Sequence, residues 1–163
     1  MTVSIVVGNP KPSSRTLSAA RLVAQRLTGA PPDVVIDVVE LGDGLLRWGD
    51  EAVGDAVKRV ADSDVLVCAS PTFKATYSGL LKLFLDQFST RQLTGVTAFA
   101  VMLGAAPEHA MAPELLLKPV LVELGATCPT QGLYLLESQW EESERLDSWI
   151  ESASRYTASG VQR

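Results

Sequence analysis

Short apolar runs and amphipathic segments alternate along most of the chain. The first run, residues 3–7, is almost continuously apolar and ends at Gly8. Similar runs occupy residues 34–39, 64–69, 96–103 and 126–136, the last of them broken near Pro129. Strands that are buried on both faces carry apolar residues in such near-continuous runs. The pattern therefore predicts five strands.

An amphipathic stretch follows each predicted strand. Apolar side chains recur there every three or four residues, which is the spacing of a helix that buries one face. The recurring positions are Leu17, Ala20, Ala24 and Leu27, then Val53, Ala56, Val57 and Val60, then Leu80, Leu81, Phe84, Leu85 and Phe88, then Leu117, Val120, Leu121 and Leu124, and finally Leu146, Trp149, Ile150 and Ala153. The sequence thus predicts five helices.

The alternation of strands and helices predicts a parallel sheet with helices on both faces. The chain shows no linker, composition shift or repeat, so we expect one domain over residues 1–163 with a polar tail from about Thr157. In such sheets, ligands bind beyond the carboxyl ends of the strands, near the point where the strand order reverses. The candidate regions are the first loop (residues 8–16), the second loop (residues 71–78) and the third loop (residues 104–106).

Composition narrows the possible functions. The formal net charge of -5 disfavours nucleic-acid binding, because an acidic surface repels phosphate backbones. The absence of a leader pattern and of a long apolar run predicts a cytoplasmic protein that does not interact with membranes. Two cysteines and one histidine are too few for a disulfide framework or a structural metal site, so we expect no metal. Cys68, inside an apolar run, is interpreted as a small buried hydrophobe.

The first loop reads GNPKPSSRT and combines several groups that bind phosphate. Its hydroxyls donate to phosphate oxygens, Lys11 and Arg15 add positive charge, and the following helix offers free N–H groups at its start. An ordinary helix cap by Ser13 or Ser14 explains the same residues equally well. The loop contains neither G-x-G-x-x-G nor G-x-x-x-x-G-K-[ST], which excludes a Rossmann fingerprint and a P-loop.

The second loop opens a segment, residues 71–86, that reads PTFKATYSGLLKLFLD. Phe73 and Tyr77 can pack against a flat ring system, and backbone N–H groups near Thr76 and Tyr77 can reach its polar edge. Alternatively, the two aromatic residues belong to the core and Ser78 is a simple helix cap. The position of the segment at the ligand edge, opposite the first loop, favours the ligand interpretation.

Together, the first loop and residues 71–86 resemble the NADPH-dependent FMN reductase family. A third segment supports the resemblance: His109-Ala110-Met111, followed by Leu116-Leu117-Lys118-Pro119-Val120-Leu121. The resemblance extends from the first strand to about Ser138, and it is strongest to the flavin reductases that serve alkanesulfonate monooxygenases. It implies a flavodoxin-like three-layer sandwich with a five-stranded parallel sheet in the order 2-1-3-4-5.

The resemblance also implies which residues hold the cofactor. The first loop would bind the FMN phosphate, the second loop the edge of the isoalloxazine ring and the third loop its pyrimidine side. The implied residues are Asn9, Lys11, Ser14, Arg15, Thr16, Pro71, Thr72, Phe73, Lys74, Ala75, Tyr77, Gly104 and Ala105, with Ala106 beside them. Because the flavin itself supplies the hydride chemistry, we assign no catalytic residue and give His109 no role.

The implied activity is the NAD(P)H-dependent reduction of FMN, with reduced FMN passed to a partner monooxygenase. An enzyme with tightly bound FMN that reduces quinones, azo dyes or metal oxyanions would carry the same motifs. An electron carrier of the flavodoxin type, or a protein that has lost flavin binding, are further alternatives. Arg15 and Lys74 are candidate contacts for the 2′-phosphate of NADPH, and NADH is the alternative donor.

Members of this family form homodimers or homotetramers, so the resemblance implies self-association. The apolar stretch from Phe84 to Phe88 and the region of Trp140 could supply such an interface, or they could be part of the core.

Overall fold

Five parallel strands form the centre of the computed structural model, which describes residues 1–158. The strands pair in the order β2-β1-β3-β4-β5, and every neighbouring pair is parallel. The bounds are Val3–Val7 for β1, Val34–Asp37 for β2, Val65–Pro71 for β3, Thr97–Gly104 for β4 and Leu133–Leu136 for β5. The order reverses between β1 and β3. The predicted flavodoxin-like sheet is confirmed.

Helices cover both faces of this sheet, as predicted. Helices α1 and α5 pack on one face, and α2, α3 and α4 pack on the other, so the two apolar layers are separated by the strands. A short sixth helix follows α5. The bounds are Arg15–Thr28 for α1, Glu51–Ala61 for α2, Gly79–Leu85 for α3, Lys118–Glu123 for α4, Glu144–Ala153 for α5 and Arg155–Ala158 for α6.

Two of the predicted strands are shorter than their apolar runs. The run 34–39 leaves the sheet after Asp37, and Val38–Leu46 winds as 3₁₀ turns interrupted by Gly42 at φ 51°. In the run 126–136, Thr127 makes one isolated bridge to Thr97, and continuous pairing begins only at Leu133. Pro129 lies between them and has no N–H to donate to a ladder, which accounts for the break.

The third helix ends one turn earlier than its apolar pattern suggests. It stops at Leu85, and Phe88 is buried in the turn that follows, with its ring edge-on to Phe84 at a centroid distance of 5.5 Å. Phe84 and Phe88 are therefore core residues and do not form an external surface. Trp140 is half-buried and packs against the layer formed by α1 and α5.

The fourth helix begins with a wider π turn at Pro113–Leu117. Pro119 has no N–H for the carbonyl of Leu115, so a regular α turn would leave that carbonyl unpaired. Glu114 braces the turn, since its carboxylate accepts from Lys118 Nζ at 2.9 Å and from the N–H of Gly132 at 2.6 Å. Burial opposes the charged form of Glu114, but these two hydrogen bonds outweigh it and hold its pKa below the ordinary value.

The described chain ends in α6, where the predicted polar tail begins. Thr157 is buried, and its hydroxyl donates to the carbonyl of Leu27 at 2.9 Å, which attaches α6 to the end of α1. The rest of the predicted tail, residues 159–163, lies outside the described residues. In the part of the chain that is described, no helix combines the length and apolarity needed to cross a bilayer.

Candidate functional site

The three candidate loops meet at one edge of the sheet, because parallel strands all end on the same side. Backbone hydrogen bonds join them: the N–H of Gly8 donates to Ala69 at 2.9 Å, and the N–H of Thr72 donates to Leu103 at 2.7 Å. The Ser78 hydroxyl also donates to the carbonyl of Gly8. The site therefore spans the point where the strand order reverses, as expected for this architecture.

Hydrogen bonds made by its own side chains fix the shape of the first loop. Asn9 accepts from the N–H of Lys11 at 2.9 Å and donates through Nδ2 to the hydroxyl of Thr16 at 3.0 Å. Ser14 is the cap of α1, since its hydroxyl accepts from the N–H of Leu17 at 3.2 Å. This settles the cap question in favour of Ser14 over Ser13.

The cap does not use every donor at the start of α1. Within residues 1–158, the N–H groups of Ser14, Arg15 and Thr16 have no protein acceptor. Three free donors at the positive end of a 14-residue helix form a cradle for an anion, and we call them the N–H cradle. The helix cap and the anion site are therefore compatible.

Gly8 allows the first and second loops to touch. A Cβ on Gly8 would lie 2.2 Å from the Cβ of Leu81, so a side chain there would push α3 away. Ser78 completes this contact: besides donating to Gly8, its hydroxyl caps α3 by accepting from the N–H of Leu81 at 3.0 Å.

The second loop forms a two-residue hairpin between Phe73 and Thr76, which exchange backbone hydrogen bonds of 2.8 and 3.2 Å. The two turn residues, Lys74 and Ala75, have φ of 51° and 70°, a left-handed conformation that glycine or asparagine usually supplies. Left-handed residues with a Cβ cost about 1 kcal/mol or more each, and such strain clusters at functional sites.

The hairpin presents an aromatic ring and a backbone donor at the rim of the site. The Phe73 side chain is 46% exposed, whereas Tyr77 is half-buried against the core. Of the two N–H groups expected to face a ligand, that of Thr76 is used inside the hairpin. The N–H of Tyr77 has no acceptor within the described residues.

The third loop rests on a tyrosine that sequence reasoning missed. The Tyr134 hydroxyl donates to the carbonyl of Ala106 at 2.6 Å, and a Cβ on Gly104 would lie 1.9 Å from that hydroxyl. Burial raises the pKa of Tyr134, so it stays a neutral donor at physiological pH. The Thr72 hydroxyl lies beside Tyr134 and lowers its pKa, but by less than burial raises it. This hydroxyl is buried, and within residues 1–158 it has no partner in ordinary hydrogen-bond geometry.

An apolar cavity of about 150 Å³ lies beside this loop, lined in part by Pro107, Tyr134 and Leu136. The N–H of Glu137, one residue further on, donates to the carbonyl of Gly104 at 3.0 Å. The end of β5 thus forms one wall of the site, which the sequence patterns did not indicate.

Of the basic residues predicted in the site, none is buried. Lys11 and Lys74 are exposed on the first and second loops. Arg15 is also exposed, and its guanidinium lies 3.8 Å from the carboxylate of Glu137 across the edge of the sheet. The predicted site residues thus all lie at one edge of the sheet. The charged side chains of Lys11, Arg15 and Lys74 are on its exposed outer part.

The cysteines contribute no reactive group at this edge. Cys68 is fully buried in β3, as predicted, and burial raises the pKa of its thiol. Burial likewise raises the pKa of Cys128 to about 11, so both thiols are protonated at neutral pH. Within residues 1–158, no group of three or more His, Cys, Asp or Glu side chains is arranged to hold a metal ion.

The fold and this edge define a flavodoxin-like α/β protein in which the N–H cradle is followed, on the neighbouring loop, by the exposed ring of Phe73. We call the hairpin residues Phe73 to Thr76 the aromatic rim. A model of the family described as NADPH-dependent FMN reductase matches residues 1–141. The chain belongs to this family. It is an oxidoreductase that uses FMN and a nicotinamide nucleotide.

Individual relatives agree with this assignment. The FMN reductase (NADPH) of Escherichia coli K12 is 30% identical over 85% of this chain and 75% of its own length. The NADH-dependent FMN reductase SfnF of Pseudomonas fluorescens Pf0-1 is 26% identical over 96% of this chain and 89% of its own. A crystal structure of the NADH:FMN oxidoreductase EMOB superposes with a TM-score of 0.85 at 27% identity, covering 96% of this chain and 87% of that one.

We predict that Gly104→Ala destabilises the fold by about 1–3 kcal/mol, because the new methyl overlaps the Tyr134 hydroxyl. Combining it with Tyr134→Phe should recover part of that loss, since the overlapping oxygen is then absent. Urea unfolding of the two single variants and the double variant measures the coupling directly. If the change in the free energy of unfolding of the double variant equals the sum of the two single changes, Tyr134 and Gly104 do not constrain each other. Gly54→Ala, in a helix with open space around it, is the matched control.

Proposed function

We propose that the chain reduces free FMN with NAD(P)H and hands the reduced flavin to a separate monooxygenase. The observation that carries the proposal is the N–H cradle in the loop after β1, together with the exposed ring of Phe73 in the loop after the neighbouring strand β3. The cradle suits a phosphate and the rim suits a flat ring, which are the two ends of FMN.

The residues of the first loop fit the phosphate end. The N–H cradle supplies three donors, and the hydroxyls of Ser14 and Thr16 each keep a hydrogen to donate after accepting their own hydrogen bond. Lys11 extends into solvent next to them and supplies charge. Asn9 serves the loop indirectly, because both ends of its amide are used to shape it.

The second and third loops fit the ring end. Phe73 and the left-handed turn at Lys74 and Ala75 would lie along the isoalloxazine, with the N–H of Tyr77 as a donor to its polar edge. Pro71, the last residue of β3, and Thr72, which follows it, would line this end of the site. The N–H groups of Ala105 and Ala106, which have no acceptor within residues 1–158, would serve the pyrimidine side. Gly104 leaves room for the Tyr134 hydroxyl that supports this loop.

When bound, FMN accepts a hydride from the reduced nicotinamide and passes both electrons on. The chain's own contribution is to hold the phosphate, orient the ring and leave one of its faces accessible. No side chain is needed as an acid or base. His109 lies in the short 3₁₀ turn after the third loop, and we assign it no part in the chemistry.

An exposed rim favours exchange of the flavin over permanent retention. Phe73, Lys74, Ala75 and Ala105 are all exposed, so the ring end would be bound at the surface. FMN as a substrate, taken up and released in each cycle, fits such a site and supports delivery to a monooxygenase. We further propose that the protein acts in the cytoplasm, where the nicotinamide nucleotides are held.

We expect steady-state oxidation of NADPH and NADH to be slow without added flavin and to rise saturably with free FMN. The dialysed protein should be colourless, because a flavin bound at an open rim is lost. A yellow protein that reduces quinones without added FMN would contradict the delivery role and favour a bound-flavin enzyme. Absence of both turnover and FMN binding would refute the proposal as a whole.

Two exposed basic side chains, Lys74 and Arg15, are the candidates for selecting the nicotinamide nucleotide. Lys74 is exposed at the tip of the hairpin. Arg15 is exposed at the start of α1, and its guanidinium lies 3.8 Å from the carboxylate of Glu137. We propose that both contact the 2′-phosphate that distinguishes NADPH from NADH.

Lys74→Ala should raise the KM for NADPH by up to about fivefold and leave that for NADH unchanged, as fits one exposed charge pair. Arg15→Ala should have the same selectivity and should also raise the KM for FMN. Lys58→Ala is the control, because Lys58 is an exposed lysine paired with Asp62 near the end of α2. Equal effects of Lys74→Ala on the two nucleotides would rule the contact out.

We propose that the chain self-associates as a homodimer or homotetramer through the apolar face of its fourth helical segment. Met111, just before the π turn, is 57% exposed, and Leu115, Leu116 and Val122 in the π turn and α4 are 62%, 40% and 53% exposed. Exposed apolar side chains clustered in this way are typical of protein interfaces. This face replaces the stretch Phe84 to Phe88, which the core takes up.

Leu115→Glu should convert the assembly to a smaller species in multi-angle light scattering, since a charge at the centre of an apolar contact is costly. Leu46→Glu provides the comparison, because Leu46 is 75% exposed on the 3₁₀ segment after β2. A wild-type protein that is monomeric at micromolar concentration would disprove self-association. Dissociation by Leu46→Glu alone would place the interface elsewhere.

A further inference from the structure

Asp37 is a carboxylate in an unusual place. It is the last residue of β2 and pairs in register with Val7, which puts it directly beside the start of the first loop. Its side chain is only 4% exposed, although aspartate is almost never buried unless it is paired. Asp37 is not among the residues proposed to contact FMN or the nicotinamide nucleotide.

The carboxylate of Asp37 has one partner and lacks a second. Oδ2 accepts from the N–H of Ser13 at 3.2 Å. Oδ1 is buried and has no hydrogen-bond partner within residues 1–158. Desolvation by burial is the largest influence on this carboxyl and raises its pKa. The hydrogen bond from Ser13 and the charge of Arg21 lower the pKa, and the charge of Glu40 raises it further, so that the net shift is upward. A half-satisfied buried acid weakens a fold, so its presence calls for another explanation.

The partner of Asp37 explains what this arrangement achieves. Ser13 has φ of 51°, a left-handed conformation that is strained for a residue with a Cβ. Ser13 is the residue immediately before the cap Ser14, so its conformation sets the direction in which the chain enters α1. That direction aims the N–H cradle.

We propose that Asp37 is a positioning residue for the phosphate of FMN. By accepting from the N–H of Ser13, it holds the left-handed turn in place and keeps the N–H cradle aimed at the ligand. The inference rests on the proposed FMN site. Asp37 itself does not touch the ligand, because both of its oxygens are buried or already engaged.

A positioning role and a purely structural role predict opposite effects on two measurements. If Asp37 served the fold, Asp37→Ala would lower the free energy of unfolding and affect every ligand equally. A positioning role predicts stability that is unchanged or raised, because a half-satisfied buried acid has been removed. It also predicts weaker binding of FMN and unchanged binding of riboflavin, which lacks the phosphate.

The experiment is equilibrium titration of the purified, flavin-free chain with FMN and with riboflavin, followed by flavin fluorescence. In Asp37→Ala we expect the Kd for FMN to rise about tenfold, the value of one well-formed hydrogen bond, and the Kd for riboflavin to stay within about twofold. Asp37→Asn should retain FMN binding near the wild-type value, because its amide oxygen can accept from Ser13. Urea unfolding of each variant is measured in parallel.

A second variant tests the conformational cause. Glycine adopts a left-handed φ without strain, so Ser13→Gly introduced into Asp37→Ala should restore much of the FMN affinity. Lack of restoration would overturn the proposed mechanism, as would equal losses for FMN and riboflavin or an Asp37→Ala variant that binds FMN normally. Failure of the wild-type chain to bind FMN would instead refute the underlying FMN site.

Discussion

The close approach of the first and second loops at Gly8 is the constraint on which the site depends. Leu81 lies where a side chain on residue 8 would be, and the Ser78 hydroxyl connects the carbonyl of Gly8 to the start of α3. This contact fixes the distance between the N–H cradle and the aromatic rim. A ligand that bridges the two must therefore match a spacing set by backbone packing.

Most of the proposed ligand contacts are backbone groups, and this makes local conformation more important than side-chain identity. Among the described residues, four that are not glycine have a left-handed φ: Ser13, Lys74 and Ala75 lie in the first and second loops, and Arg91 lies in the turn before β4. The strain is supported by firm neighbours: a buried carboxylate behind Ser13, and a pair of hydrogen bonds across the hairpin. Strain retained in this way is a feature of functional sites.

An acidic protein can still bind an anionic cofactor, because the relevant field is local. The formal net charge is -5, yet the N–H cradle presents the positive end of a helix, with Lys11 and Arg15 at its rim. At physiological ionic strength, exposed charges more than about 8 Å away are largely screened. The overall charge thus disfavours extended polyanions such as nucleic acids without preventing a single phosphate from binding.

Apolar periodicity was enough to predict the layered fold, because it reports which positions are buried. It also located the three candidate loops, because parallel strands end on the same side of a sheet. The sequence also indicated a helix cap beside an anion site, because serine at a helix start suits both. The tertiary structure was needed to reveal the placement of Asp37 behind Ser13, the support of the third loop by Tyr134 and the burial of Phe88. Each depends on a contact between residues far apart in the chain, and local patterns carry no information about such partners.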